Sequence, residues 1–371
     1  MARIDELFNT KELLNYYKAR KENPLLGDTL FPSKKIQDIK FEMLTGKGGL
    51  PVSASIHAFD TATQLASREV LQKGAGKLAL IKRRIAIGEE ELIAINNPRT
   101  DAELKSIVSK LFDDSENMLT AVKVRIEAMR MELLSTGKID INENNVAITL
   151  DYNVPSENKK AFDWSNKETA KPLADIEELA DAIEETSGVK PNRMLTSKKI
   201  LNQILACISV KKAINGVNYD KVVTRDELNT LLESMELPKI ATYNAKYKIQ
   251  LNNGKYETKR YFKEDVVSMF SEGTLGQTIY GLTAEEIELI GDKKMDVAKM
   301  VDNIFVGVEK EGDPVRRFTK AAATALPTLE NPSELGIATI NLGSVKAQNL
   351  VQEANEKVEG ETKTDGNVEK K

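Results

Sequence analysis

IQDIKFEMLTGKGGLPVSASIHAF, residues 36–59, leads through the polar stretch DTATQLASREVLQKGAGK, 60–77, into LALIKRRIAI, 78–87. Val52, Ala54, Ile56 and Ala58 alternate with Pro51, Ser53, Ser55 and His57, and Ile39, Phe41 and Met43 alternate with Lys40 and Glu42. That two-residue period belongs to strands wet on one face. The passage reads as a long β-arm whose tip carries too few apolar residues to bury itself at home. Such an arm needs a neighbour to lie on.

Upstream, residues 1–35 read as an N-terminal arm: a short helix over 4–19 with Tyr16 and Tyr17, then ENPLLGDTLFP, where Pro24, Gly27 and Pro32 break regular structure. Downstream lies the strongest helix signal. Thr100 with Glu103 forms a capping box and Gly137 supplies the stop. Leu104, Val108, Leu111, Met118, Val122, Ile126, Met129 and Leu133 recur at helical steps between them. A helix over 101–136 is a rod of roughly 54 Å, a spine on which a sheet can rest. Asn145 to Asn153 alternates as a strand and is the segment expected to lie on that spine.

A polar linker, PSENKKAFDWSNKETAKPL, holds the only tryptophan, Trp164, before the texture changes to short amphipathic helices. Ile176, Leu179, Ala180 and Ile183 make one face before Gly188, and Ile200, Leu201, Ile204, Leu205 and Ile208 another before Gly216. Thr224 with Glu227 caps a third, stopped by Pro238. Tyr243 to Leu251 and Lys255 to Phe262 flank Asn252-Asn253-Gly254 as a β-hairpin. Strand texture returns at Ile304. The expected division is therefore 1–35 arm, 36–90 β-arm and its base strands, 91–159 a first domain with the spine, 160–303 an inserted α/β lobe, 304–344 strands closing the first domain, and 345–371 a disordered tail poor in large apolar residues.

With 371 residues, 41% hydrophobic and 30% charged, the chain is globular and long enough for two or three lobes. A formal charge of −4 lacks the strongly basic footprint of a nucleic-acid binder. No apolar run reaches membrane-helix length and Met1 to Asn23 has no signal-peptide pattern, so a cytosolic place of synthesis is expected. One cysteine, Cys207, and one histidine, His57, leave no internal disulfide and no metal cluster. His57 has no nucleophile motif beside it, and Cys207 sits on an apolar face with Ile204 and Ile208, where a buried thiol is the ordinary explanation. TGKGG, 45–49, lacks the G-K-[ST] ending of a phosphate loop and reads as a turn. Asp113, Asp114 and Glu116 read as a wet helical flank rather than a cation site. Lys77, Lys82, Arg83 and Arg84 have no aromatic platform for nucleic acid and fit better an acidic patch of a neighbouring copy, such as that flank. No catalytic residue, cofactor or metal is expected.

The order of parts resembles the major capsid proteins of tailed bacteriophages, specifically the family of the phage lambda capsid protein E. The similarity is carried by LPVSASIHAFDTATQLASREV (50–70), AFDWSNKETAKPLADIEELADAIEETSGVKPNRMLTSKKILNQIL (161–205), KYKIQLNNGKYETKRYFKEDVVSMFSEGTLGQTIYG (246–281) and, most closely, GDPVRRFTKAAATALPTLENPSELGIATI (312–340). What the resemblance implies is an α+β capsid fold: N-terminal arm, extended β-hairpin loop, peripheral domain with a long spine helix and β-sheet, and an inserted α/β axial domain. It implies a non-enzymatic shell subunit that assembles with itself into hexamers and pentamers, meets a scaffolding protein, a portal and a decoration protein, and encloses DNA without reading its sequence. Assembly in the host bacterial cytoplasm, residence in the virion and no membrane contact follow from the same resemblance. Contacts between copies are then expected at Arg68, Glu69, Lys77, Lys82, Arg83, Arg84, Asp113, Asp114, Glu116, Asp313, Arg316 and Arg317. The alternatives are an encapsulin-like nanocompartment shell of the same fold, and a soluble enzyme with an unrecognised site in the α/β lobe.

Overall fold

The computed structural model describes residues 25–45, 72–96, 100–144, 146–251, 253–291 and 299–343. Two compact units emerge. The first takes the described residues up to Val154 with Ala245–Tyr261 and Glu272–Ser333; the second takes Pro155–Asn244, Phe262–Ser271 and the described residues from Glu334 onward.

The first unit is built on α3, Asp101–Thr136, a single 36-residue helix. Thr100 Oγ1 accepts from the Glu103 amide at 3.1 Å, and Gly137 ends the helix at φ +70° while its amide donates to the Leu133 carbonyl. Met118, Leu119, Val122, Ile126, Met129 and Leu133 are all buried. Each such side chain removed from water contributes about 1.5–3 kcal/mol. A six-stranded sheet lies against this stripe: β1, Ser33–Lys35; β4, Ala79–Ile87; β13, Thr278–Gly281; β14, Lys299–Val301; β15, Ile304–Gly312; and β16, Val315–Pro327. β16 is the hub, with β4 along one edge and β15 then β13 along the other. Its Ala321, Ala322, Ala323 and Ala325 are wholly buried, and small side chains there let α3 approach the strand closely.

Several expectations are corrected in this unit. The strand resting on the spine is β16, not Asn145–Asn153. Lys138–Glu143 (β5) follows the helix directly and pairs with Val146–Asp151 (β6) as a separate two-stranded hairpin, whose β6 is half-wet to exposed throughout. At the base of the β-arm, Gln72–Lys77 (β3), the end of the polar run 60–77, pairs with Lys40–Thr45 (β2), because backbone hydrogen bonds do not require apolar side chains. Part of the N-terminal arm packs within this unit. Leu26–Leu30 forms the short helix α1, Leu30 and Phe31 are fully buried at home, and β1 pairs in parallel with β13. The expected helix over 4–19, the alternation at Val52 to Ala58, and the tail 345–371 lie outside the described residues.

The second unit carries a mixed five-stranded sheet of β7, Lys159–Asp163; β17, Gly336–Asn341; β12, Val266–Phe270; β8, Arg193–Thr196; and β9, Lys239–Thr242, in that order. Every residue of β12 is buried, as a central strand covered on both faces must be. Helices α4, Pro172–Ser187; α5, Lys198–Ala206; α6, Ile208–Asn215; and α7, Arg225–Ser234, supply Ile176, Leu179, Ile183, Ile200, Ile204, Leu228 and Leu232 to the core. The anticipated cap at Thr224 and Glu227 is present in full.

Trp164 corrects the reading of 155–173 as a linker. Its ring stacks on Phe162 at 6.5 Å, its Nε1 donates to Asp175 Oδ2 at 2.6 Å, and it is buried in the core. The boundaries 160–303 and 304–344 also change. The hairpin β10, Lys246–Gln250, with β11, Tyr256–Arg260, joins the first unit with β13, whereas β17 leaves it to pair with β7 and β12. A strand's period shows that it has one buried face but not which sheet completes its ladder.

Candidate functional site

Five of the twelve candidate contact residues fall on β4 and β16, and some of these are already engaged within the chain. Lys82 Nζ donates to Glu285 Oε1 at 2.7 Å, and Lys320 Nζ reaches the same oxygen at 2.8 Å. Glu285 stands on α8, Ala284–Gly291, next to Glu286, whose Oε1 accepts from Lys35 Nζ at 2.6 Å. Glu286 also accepts from the Thr283 amide, and its own amide donates to Thr283 Oγ1, closing a capping box. Two adjacent carboxylates on one short helix thus hold β1, β4 and β16. Burial pushes the Glu285 carboxyl upward, but the hydrogen bonds from Lys320 and Lys82 outweigh it and hold the group at about 2.

A second cluster anchors the entry of the chain. Arg130, in the buried part of α3, donates from Nη1 to Asp28 Oδ1 at 2.6 Å and to Glu127 Oε2 at 3.4 Å, from Nε to Thr278 Oγ1 at 2.9 Å, and from Nη2 to the Phe31 carbonyl at 3.4 Å. Glu127 Oε1 in turn accepts from the Gly27 amide at 3.0 Å. A Cβ at position 27 would stand 2.3 Å from Glu127 Oε2 and 2.6 Å from Arg130 Cδ, so only glycine lets α1 approach the spine this closely. Sequence reasoning missed this latch. Glu127 lies three residues before Arg130, a helical pair that the sequence does offer, but Asp28, Phe31 and Thr278 are about 100 or more positions away and nothing local names them; Thr283 and Glu286 could have been recognised from their S/T-x-x-E spacing.

The remaining candidates divide as follows. Arg84 lies over the Phe318 ring at 4.3 Å, and Arg83 is half-buried opposite Ala321. Lys82 and Arg84, expected to reach a neighbour, therefore both have partners within the chain. Lys77 is exposed at the end of β3 opposite Lys40. Asp313 and Arg316 are exposed at the β15–β16 turn, with Arg316 opposite Glu311, while Arg317 is half-buried opposite Ile87 and Lys310. Asp113 is exposed, and Asp114 and Glu116 are half-buried on the spine. Arg68 and Glu69 lie outside the described residues, as do His57 and the glycines at 46, 48 and 49. Cys207 is wholly buried and its Sγ donates to the Gln203 carbonyl at 3.2 Å; burial raises its thiol pKa, which leaves a packing group rather than a nucleophile. Among the described residues no group of three His, Cys, Asp or Glu could hold a metal, and no helix is long and apolar enough to cross a membrane.

A 36-residue spine helix lies against a six-stranded sheet, and the segments of a second α/β unit alternate along the chain with those of the first. The chain belongs to the phage major capsid protein E family, whose sequence model matches residues 9–340. It is a structural protein of the virion, not an enzyme. A protein from a prophage of E. coli CFT073, assigned as its capsid protein, shares the fold at a TM-score of 0.56 and 17% identity, covering 90% of this chain and 99% of the other. A phage-related protein from Bordetella bronchiseptica RB50 does so at 0.51 and 13%, covering 90% and 96%. No curated protein matches.

Proposed function

We propose that copies of this chain assemble into hexamers and pentamers and close into an icosahedral head around double-stranded DNA, in the cytoplasm of the host bacterium. The observation that carries this reading is the family match across 9–340, joined to a hairpin, β2–β3, whose ladder leads out to the 26 residues between Thr45 and Gln72. A segment of that length is long enough to add shared surface between copies without demanding a rigid interface. A scaffolding protein, a portal and a decoration protein are the further partners. The phage capsid family favours this over a nanocompartment shell, which would be marked by a bound cargo peptide. The test is expression of the chain alone followed by negative-stain electron microscopy. Closed shells, tubes or capsomer rings are expected; a monodisperse monomer that persists at high concentration would overturn the reading.

A further inference from the structure

The hairpin β10–β11 is strongly basic. Lys246, Lys248, Lys255, Lys259 and Arg260 stand within fifteen residues, with Glu257 as the one acid among them. All four lysines are exposed, and none forms an ion pair with a described residue. The register sets Lys246 directly opposite Arg260. Like charges in that position weaken a two-stranded ladder that is already marginal by itself. Lysines on a free edge do guard against unwanted strand pairing, but that purpose does not call for two cations facing each other. Tyr247 packs on Tyr261 at 4.7 Å at the base of the hairpin, while its four lysines face water.

The complementary surface lies in the same unit. Glu89, Glu90 and Glu91 open α2, Glu89–Asn96, and Asp113 and Asp114 lie on the spine near them, with Lys110 bound to Glu91 at 2.6 Å. Burial chiefly pushes the Asp114 carboxyl upward; Lys110 opposes this, and the negative field of Glu91 and Asp113 adds to it.

We propose that the β10–β11 hairpin docks on a second copy of this chain, its lysines meeting the acidic junction of α2 and α3. The proposal rests on the shell reading and adds the pairing that the partners of Lys82 and Arg84 took away from β4. Because donor and acceptor surfaces differ, the contact is heterologous and propagates around a ring rather than stopping at a dimer. It weakens as salt rises, since both surfaces are exposed.

Two full-length variants test it. One carries Lys248→Glu, Lys255→Glu and Lys259→Glu; the other carries Glu90→Lys and Asp113→Lys. With circular dichroism showing native secondary structure, each alone should assemble about tenfold less than wild type in sedimentation, and mixing the two should restore assembly, because each then meets its opposite charge. Failure of the mixture to recover, or normal assembly of either variant alone, overturns the proposal. So does a hairpin variant that builds normal shells but no longer retains a 30-base-pair duplex at low salt, which would assign the lysines to phosphate instead. Absence of closed particles from wild type in the microscope would count against the shell reading, whereas the sedimentation of the mixture judges the docking by itself.

Discussion

Arg130 is about 1% exposed, and a guanidinium can be held there only because its donors meet Asp28, Glu127, Thr278 and the Phe31 carbonyl. Arg130→Ala removes the guanidinium that faces the buried carboxylate of Glu127 and should cost about 3–5 kcal/mol, read as a loss of thermal or urea stability. Arg130→Met combined with Glu127→Gln should cost clearly less, because both buried charges are then removed together. Gly27→Ala should cost about 1–3 kcal/mol, since its Cβ collides with both members of the pair. Glu285 adds a pH term. Its carboxyl is held at about 2 against an ordinary 4.5, so the stabilisation it contributes is complete above 4.5 and is lost as pH falls toward 2. The melting temperature of wild type should therefore fall more steeply over that window than that of Glu285→Gln; parallel profiles would show that the two lysine bonds contribute nothing.

Elements were legible to the extent that their signals were local. The spine was readable from end to end, because Thr100, Glu103 and Gly137 sit at its termini and its apolar stripe repeats along one face. The hairpin at Asn252–Gly254 and the cap at Thr224 were equally local. The strand lying on the spine was misjudged, because alternation identifies a half-buried strand without naming what buries it. β16 in fact shows almost no alternation over Ala321–Ala325, having both faces covered. Its alanines set the distance to α3, so Ala323→Leu should lose about 1–3 kcal/mol through overpacking, measured as a lowered unfolding midpoint with little change in circular dichroism at rest.

At the scale of the whole molecule, the β2–β3 ladder ends at Thr45 and Gln72, so replacing residues 46–71 by a short glycine-rich turn leaves both strands paired. The shortened chain should remain folded and soluble yet form no shells in negative stain; shells of normal size would show that this loop is not the assembly arm. Composition, periodicity and caps, all read over a few turns of chain, were enough for a globular chain of mixed helix and sheet and for the spine, while the kinship to capsid proteins came from the resemblance of whole stretches such as 312–340. Partner choice needed three dimensions. Lys82 meets Glu285 across 203 positions and Arg130 meets Asp28 across 102. β17 leaves the sheet of β16 for that of β7 and β12 only eight residues after β16 ends. An ion pair or a strand ladder is decided by which surfaces lie within a few ångströms of each other, and a single sequence records the side chains that are able to pair without recording which of them meet.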